Sequence, residues 1–95
     1  MQIQRTEERI TLSLPINLEG GAAGVTRDIS ASGIYFETDL KQTVGSMIDF
    51  ALDFDNHGMG MTLNCHGQIV RVEEHEKHRG LAVRIIEAKL RVIRR

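Results

Sequence analysis

Apolar residues fall on every second position through most of this chain, and that alternation limits its fold more than any other feature. The pattern is clearest at residues 10–18, where the apolar side chains are those of Ile10, Leu12, Leu14, Ile16 and Leu18. A period of two places them on one face of a β-strand, whereas an amphipathic helix would space them three or four apart. Residues 10–18 are therefore predicted to form the first strand. Pro15 falls on its opposite face, which favours a sheet edge or a bulge there.

The alternation recurs later in the chain between segments that are rich in glycine or charge. It predicts further strands at residues 25–29, 34–37, 46–55, 61–69 and 81–85. The intervening segments are expected to be loops and turns, and Gly67 to mark a bend. A lone sheet cannot cover its own apolar face, so roughly five to seven short strands imply an all-β barrel or sandwich.

The last residues depart from this pattern. In "EAKLRVIRR" Leu90 and Ile93 stand three positions apart, with basic residues around them. That spacing is typical of an amphipathic helix. We therefore expect a short C-terminal helix or tail at residues 88–95.

Length and charge narrow the classes of function. The 95 residues suffice for one domain with a single core, and a formal net charge of -1 excludes a globally basic nucleic-acid-binding protein. No apolar run approaches the ~20 residues of a membrane span, and the first residues lack the apolar core of a signal peptide. We expect a single cytoplasmic domain without a membrane span. The only cysteine, Cys65, lies in an alternating run and is interpreted as a buried small hydrophobe.

The sequence contains no recognisable arrangement of catalytic or metal-binding residues. No nucleophile has a readable base and orienting acid, and no glycine-rich phosphate loop opens a helix. His75 and His78 share a charged segment, but a zinc site needs three or four converging ligands, so this segment is interpreted as a solvated turn. One tyrosine and three phenylalanines offer little surface for base stacking, which argues against an oligonucleotide-binding barrel. We predict neither catalytic residues nor a metal.

Two polar motifs stand beside the predicted strands. Arg5 and Arg9, in "RTEER", form an Arg-x-x-x-Arg just ahead of the first strand. Asp28, Ser30 and Gly33, in "DISASG", form an Asp-x-Ser-x-x-Gly after the second. The first motif is weak alone, because arginine pairs at this spacing arise readily by chance. The second also suits a tight turn, in which Asp and Ser side chains bond nearby backbone N–H groups and glycine takes a positive φ.

Together, and in this order in an all-β chain of this length, the two motifs resemble the PilZ family, small β-barrel domains that bind the bacterial second messenger cyclic di-GMP. The similarity extends over most of the chain, from about residue 5 to residue 86. The resemblance implies a six-stranded antiparallel β-barrel at residues 10–87, preceded by a flexible arm at residues 1–9. It also implies a receptor rather than an enzyme, with cyclic di-GMP as ligand and no other cofactor. The implied ligand-binding residues are Arg5, Arg9, Asp28, Ser30 and Gly33.

The chemistry of cyclic di-GMP suits these residue types. A guanidinium can pair with a phosphate or with guanine O6 and N7, and it can stack on a base. The carboxylate of Asp28 and the hydroxyl of Ser30 can accept hydrogen bonds from the guanine N1–H and N2–H donors. In the family, a basic residue before the first arginine is often linked to binding of a stacked ligand pair. Gln4 occupies that position here, which leaves the stoichiometry open.

The arginines of the arm are expected to become ordered around the ligand and so to change the surface offered to a partner protein or an adjoining domain. Two alternatives stay open from the sequence. The first is a protein-interaction module on the same barrel that binds no nucleotide. The second, less favoured, is an oligonucleotide-binding barrel; our main expectation has no nucleic acid as partner.

Overall fold

Seven β-strands account for most of residues 8–93, the part of the chain that the computed structural model describes. A single turn of 3-10 helix at Glu19–Gly21 joins the second strand to the third. The predicted all-β class is confirmed, since the described residues contain no α-helix. The strands are β1 (Ile10–Thr11), β2 (Pro15–Leu18), β3 (Ala23–Ile29), β4 (Gly33–Thr38), β5 (Met47–Asn56), β6 (Met59–Glu74) and β7 (Arg79–Ile93).

Six of these strands close into an antiparallel barrel, as the family resemblance implied. They follow one another in the order β3, β2, β5, β6, β7 and β4, and pairing of β4 with β3 completes the circle. Every strand pair is antiparallel. The seventh strand, β1, is an addition to the predicted barrel and pairs with β3.

The predicted first strand, residues 10–18, is interrupted in the structure. Its two parts, β1 and β2, both pair with β3, and the break between them lies immediately before Pro15. Thr26 of β3 bridges this break: its buried hydroxyl donates to the carbonyl of Leu12 and accepts from the N–H of Leu14 at 2.8 Å. Together with the backbone bonds from the Leu12 N–H to Arg27 and from the Thr26 N–H to Leu14, the threonine keeps β1 against β3.

The apolar positions of the alternating pattern form the barrel core. Burial raises the pKa of the Cys65 thiol to about 11, so the side chain is a neutral core group at physiological pH, in accord with its interpretation from the sequence. The buried hydrophobic residues are Ile16, Leu18, Ile34, Phe36, Ile48, Phe50, Leu52, Cys65, Ile69, Leu81 and Val83.

The prediction of a C-terminal helix at residues 88–95 is wrong for the part of it that is described. β7 continues to residue 93, and Leu90 pairs with Leu63 of β6. The register of β6 and β7 shifts at Ile86, which is an extra residue in β7 without a partner in β6. Before this bulge the odd-numbered residues, such as Val83, lie on the inner face of the strand, and after it the even-numbered residues, such as Ala88, lie on that face. Because the bulge interrupts the alternation of apolar residues, the sequence after it no longer shows the period of a strand. The remaining spacing of Leu90 and Ile93 was therefore read as that of a helix.

The strands β5, β6 and β7 extend beyond the closed barrel. β5 pairs with β2 only at residues 50–52, and β4 pairs with β7 only at residues 79–84. Farther out, the three strands pair with one another, as in the row formed by Phe54, Met61 and Val92. The barrel is therefore prolonged on one side by a three-stranded sheet. Within residues 8–93 no helix is long and apolar enough to cross a membrane.

Candidate functional site

The two sequence motifs meet at an ion pair between Arg9 and Asp28. The Arg9 Nη1 atom lies 2.5 Å from the Asp28 Oδ1 atom, and the two side chains are 66% and 31% exposed. The fold produces this contact because Arg9 directly precedes β1, and β1 pairs with β3 with Thr11 opposite Asp28. The last residue of the first motif therefore contacts the first residue of the second. Arg5 and Gln4 lie outside the described residues.

Arg27 points away from this contact, although it is the neighbour of Asp28. The pairing of β3 with β4 shifts between Thr26 and Asp28, which leaves Arg27 as the extra residue of a bulge. Its Nη2 atom donates to Glu37 at 2.8 Å, and this partner raises the pKa of Arg27. The same hydrogen bond lowers the pKa of Glu37. Arg27 thus lines a separate hollow, together with Glu37 and His78.

The rest of the second motif forms the turn from β3 to β4. The Ser30 N–H donates to the Gly33 carbonyl at 2.8 Å, and the Ser30 hydroxyl donates to the same oxygen at 3.3 Å. Ser30 is only 9% exposed, so in this state its hydroxyl stabilises the turn. The Ser32 carbonyl accepts from the Ile85 N–H at 2.8 Å, which attaches the turn to β7.

Gly33 lies where two strands approach each other closely. It is the first residue of β4 and pairs with Arg84 of β7. A Cβ atom at this position would lie 3.1 Å from the Val83 carbonyl oxygen, closer than ordinary van der Waals contact. A side chain at this position would therefore require the strand ends to shift by a few tenths of an ångström.

Arg9, Asp28 and Gly33 line an open groove of about 550 Å³ on the outside of the barrel. Its floor crosses β4 and β7 and reaches β6. Ser30 is not among the lining residues, because it is folded into the turn. The other residues of the groove are Ser32, Ile34, Tyr35, Val70, Arg71, Glu73, Ala82, Val83 and Arg84.

Tyr35 is the central aromatic residue of the groove. Its hydroxyl donates to Glu73 Oε1 at 2.8 Å, and Arg71 Nε donates to Glu73 Oε2 at 2.8 Å. The Arg71 guanidinium also lies over the Tyr35 ring, 5.8 Å from its centroid. Burial, followed by the contact with Glu73, raises the pKa of Tyr35 to about 12. The Tyr35 hydrogen bond in turn is the main reason that the pKa of Glu73 is lowered.

The position of the Tyr35 ring depends on a glycine in the adjacent strand. A Cβ atom built on Gly80 of β7 would lie 1.7 Å from the Tyr35 hydroxyl oxygen and 2.4 Å from its ring carbon Cζ. Tyr35 itself pairs with Ala82, whose small side chain separates it from Arg71 in the same row. Small residues on β7 therefore let the ring lie flat across the strand.

Arg84 brings a positive charge to the groove that no carboxylate neutralises within residues 8–93. Its Nη2 atom donates to the Gln68 amide oxygen at 2.8 Å, and the described ion pairs do not include it. Arg9 and Arg71, by contrast, each contact a carboxylate. Arg84 is therefore the guanidinium most available to an anion.

Sequence reasoning missed Tyr35, Arg71, Glu73 and Arg84. The alternation placed Tyr35 and Arg84 on the outer faces of predicted strands, but it ended the preceding strand at residue 69, before Arg71 and Glu73. What it did not provide was the strand order, which brings β4, β7 and β6 side by side.

The turn between β6 and β7 contains His75 and His78, in the segment that the sequence analysis interpreted as a solvated turn. The His75 and His78 rings are 5.1 Å apart, and His78 Nε2 lies 3.3 Å from Glu37. Among residues 8–93 there is no group of three or more His, Cys, Asp or Glu side chains able to hold a metal ion.

One family model matches nearly the whole chain. The chain matches the family model "PilZ domain" over residues 3–95. It is similar in structure to the Bacillus subtilis inhibitor of motility (MotI/DgrA), with a TM-score of 0.79 and 15% sequence identity. The match covers 93% of this chain and 45% of that one, so the chain spans less than half of the solved structure. No curated protein matches the sequence significantly.

Proposed function

The chain belongs to the PilZ domain family, whose members are cyclic di-GMP receptor modules rather than enzymes, and we propose that it binds cyclic di-GMP in the groove between the two motifs. The proposed ligand-binding residues are Arg5, Arg9, Asp28, Ser30 and Gly33. The observation that carries the proposal is the contact of Arg9 with Asp28 at the edge of an open groove. It unites two motifs that are distant in sequence.

The groove offers a partner for each chemical part of the ligand. Cyclic di-GMP carries two phosphates and two guanine bases. Arg9 and Arg84 supply guanidinium groups, which bond a phosphate or the guanine O6 and N7 atoms. Asp28 supplies a carboxylate, which accepts from guanine N1–H and N2–H. The Tyr35 ring and the Arg71 guanidinium that lies over it offer planar groups on which a base can stack.

Binding exchanges the ion pair of the free protein for contacts with the ligand. A phosphate of the ligand pairs with the guanidinium of Arg9, and the N–H groups of a guanine donate to the carboxylate of Asp28. Both side chains are partly exposed, so they reorient without unfolding the barrel. Charge-assisted hydrogen bonds contribute about 1.5–3 kcal/mol each, so four or five support micromolar affinity after the cost of association.

The output of the receptor is a change of surface. Residues 1–9 close over the groove when their arginines bind the ligand, and the ordered arm alters the docking site for a partner protein or an adjoining domain. Ile85, which is bonded to the turn of the second motif, connects the groove to the outer part of β7.

Calorimetric titration of the protein with cyclic di-GMP tests the proposal. We expect binding in the micromolar range, and no comparable heat with GMP, which lacks the second phosphate and the second base. No heat at high micromolar cyclic di-GMP would reject it and favour a protein-interaction module on the same barrel. The same titration measures how many ligand molecules bind each chain. The sequence leaves this number open, because Gln4 stands where a basic residue is linked to binding of a stacked pair.

A further inference from the structure

Three aliphatic side chains lie exposed at the end of the groove that is farthest from Arg9. Val70 is the extra residue of a bulge in β6, and it lines the groove and is 49% exposed. Met47 of β5 and Val44, which precedes β5, are 49% and 57% exposed. Single exposed aliphatic residues are common on protein surfaces, whereas adjoining ones often mark a contact surface.

Strand pairing places these three residues beside one another. Met47 pairs with Gln68, two positions before Val70. The two residues between Val44 and Met47 bond to the backbone of Ile69 at 2.7 and 2.9 Å, so Val44 lies beside the bulge. Val44, Met47 and Val70 are called the aliphatic patch below.

The N-terminal arm carries an aliphatic residue ahead of its arginines. Ile3 stands between Gln2 and Gln4 in "MQIQR". Alternate side chains of an extended segment lie on the same face, so Ile3 shares a face with Arg5 and Arg9. When those arginines face the ligand, Ile3 therefore faces the barrel.

We propose that, in the complex with cyclic di-GMP, residues 1–4 pack on the aliphatic patch, with Ile3 against Val70. This inference rests on the proposed function, because the ligand bound to Arg5 and Arg9 is what draws the arm across the groove. The aliphatic contact fixes the far end of the arm. It thereby determines which surface the receptor presents to a partner when the ligand is bound.

The arm is long enough to cross the groove. Arg9 contacts β3, and from there to Val70 the strands follow in the order β3, β4, β7 and β6. Three spacings of about 4.8 Å amount to about 14 Å. The chain from Arg9 to Ile3 spans up to about 20 Å when it is extended. The excess allows the chain to turn at Arg9 and to follow the curved surface of the barrel.

Calorimetric titration of the full chain with cyclic di-GMP tests the contact by a double-mutant cycle. Ile3→Ser and Val70→Thr should each weaken binding by about fivefold or more, because each puts a hydroxyl in place of an aliphatic contact. Val70→Thr keeps the β-branched shape of valine, so the bulge is retained. The variant with both changes should bind at most about twofold less tightly than the weaker single variant.

Two matched controls make the same kinds of change outside the contact. Val25→Thr alters an exposed valine that lines the separate hollow of Arg27, and Gln2→Ser alters the opposite face of the arm. Both should keep the wild-type affinity to within about twofold.

Two results would overturn the contact and leave the proposed function standing. In the first, wild-type protein and both single variants bind cyclic di-GMP equally well. In the second, the losses of the single variants multiply in the double variant, which means that the two side chains act independently. Wild-type protein that does not bind cyclic di-GMP rejects the contact and the proposed function together.

Discussion

Arg9 and Asp28 form an ion pair of 2.5 Å although they are 19 residues apart in the chain. The contact depends on β1, a strand of two residues that Thr26 holds against β3 by bonds to the segment between β1 and β2. Each side chain therefore has a charged partner in the free protein. It also follows that a ligand must compete with this ion pair.

The first prediction concerns the two members of that pair. Arg9→Ala or Asp28→Asn should lower the affinity for cyclic di-GMP by at least about tenfold, because each removes a charge-assisted hydrogen bond. The melting temperature without ligand should barely change, since Arg9 is largely exposed and exposed ion pairs contribute little. Calorimetry and thermal melting measure the two effects separately.

Arg27→Ala is the matched control for this prediction. It removes an arginine next to Asp28 in sequence, but one that is paired with Glu37 outside the groove. We expect its affinity for cyclic di-GMP to stay within about twofold of wild type. Equal losses for Arg9→Ala and Arg27→Ala would mean that the groove is not the binding site.

The second prediction separates the remaining arginines of the groove. Arg84→Ala should weaken binding by about tenfold or more, because Arg84 has an amide rather than a carboxylate as its partner. Arg71→Ala should have a smaller effect, because Glu73 already neutralises Arg71. Titrations at low and high salt provide the check, since loss of a phosphate contact also reduces the dependence of affinity on salt. The reverse order of the two variants would contradict this assignment.

The sequence predicted the strands and the core because both depend on local alternation. Ile16 and Phe36 are fully buried at positions that the period of two selects. The same reasoning failed at Leu90, where the bulge at Ile86 shifts the alternation without a glycine or proline to mark it. Pairing with β6 then keeps residues 88–93 in a strand despite a spacing that is typical of a helix.

Only part of the candidate site could be predicted from the sequence, because the rest depends on strand pairing rather than on local alternation. Asp28 and Gly33 belong to a local motif that can be read along the chain. Arg71 and Arg84 lie on the two strands of one hairpin, but Tyr35 joins them only because β4 pairs with β7, far along the chain. No local pattern encodes that pairing, so side chains that meet across β4 and β7 cannot be grouped from their spacing alone.

The third prediction concerns the space that Gly80 leaves for Tyr35. Gly80→Ala should lower the free energy of unfolding by about 1–3 kcal/mol, because the new methyl group overlaps the Tyr35 ring end. In a Tyr35→Ala background the same substitution should cost much less. Urea unfolding of the four proteins gives the coupling between the two positions. Additive losses would show that Gly80 is required for some reason other than Tyr35.

The fourth prediction uses the fact that Tyr35 is the only tyrosine in a chain without tryptophan. Its absorbance change on ionisation therefore reports this one site, and we expect a midpoint near pH 12 in the folded protein. Because the pKa is raised above that of the unfolded chain, the associated stability is complete below about pH 10. It is lost as the pH rises from about 10 towards 12. Glu73→Gln should lower the midpoint but leave it above the ordinary value, since burial is the larger cause. A midpoint near pH 10, with the circular dichroism of the folded barrel unchanged, would contradict the partly buried, Glu73-bonded position of Tyr35.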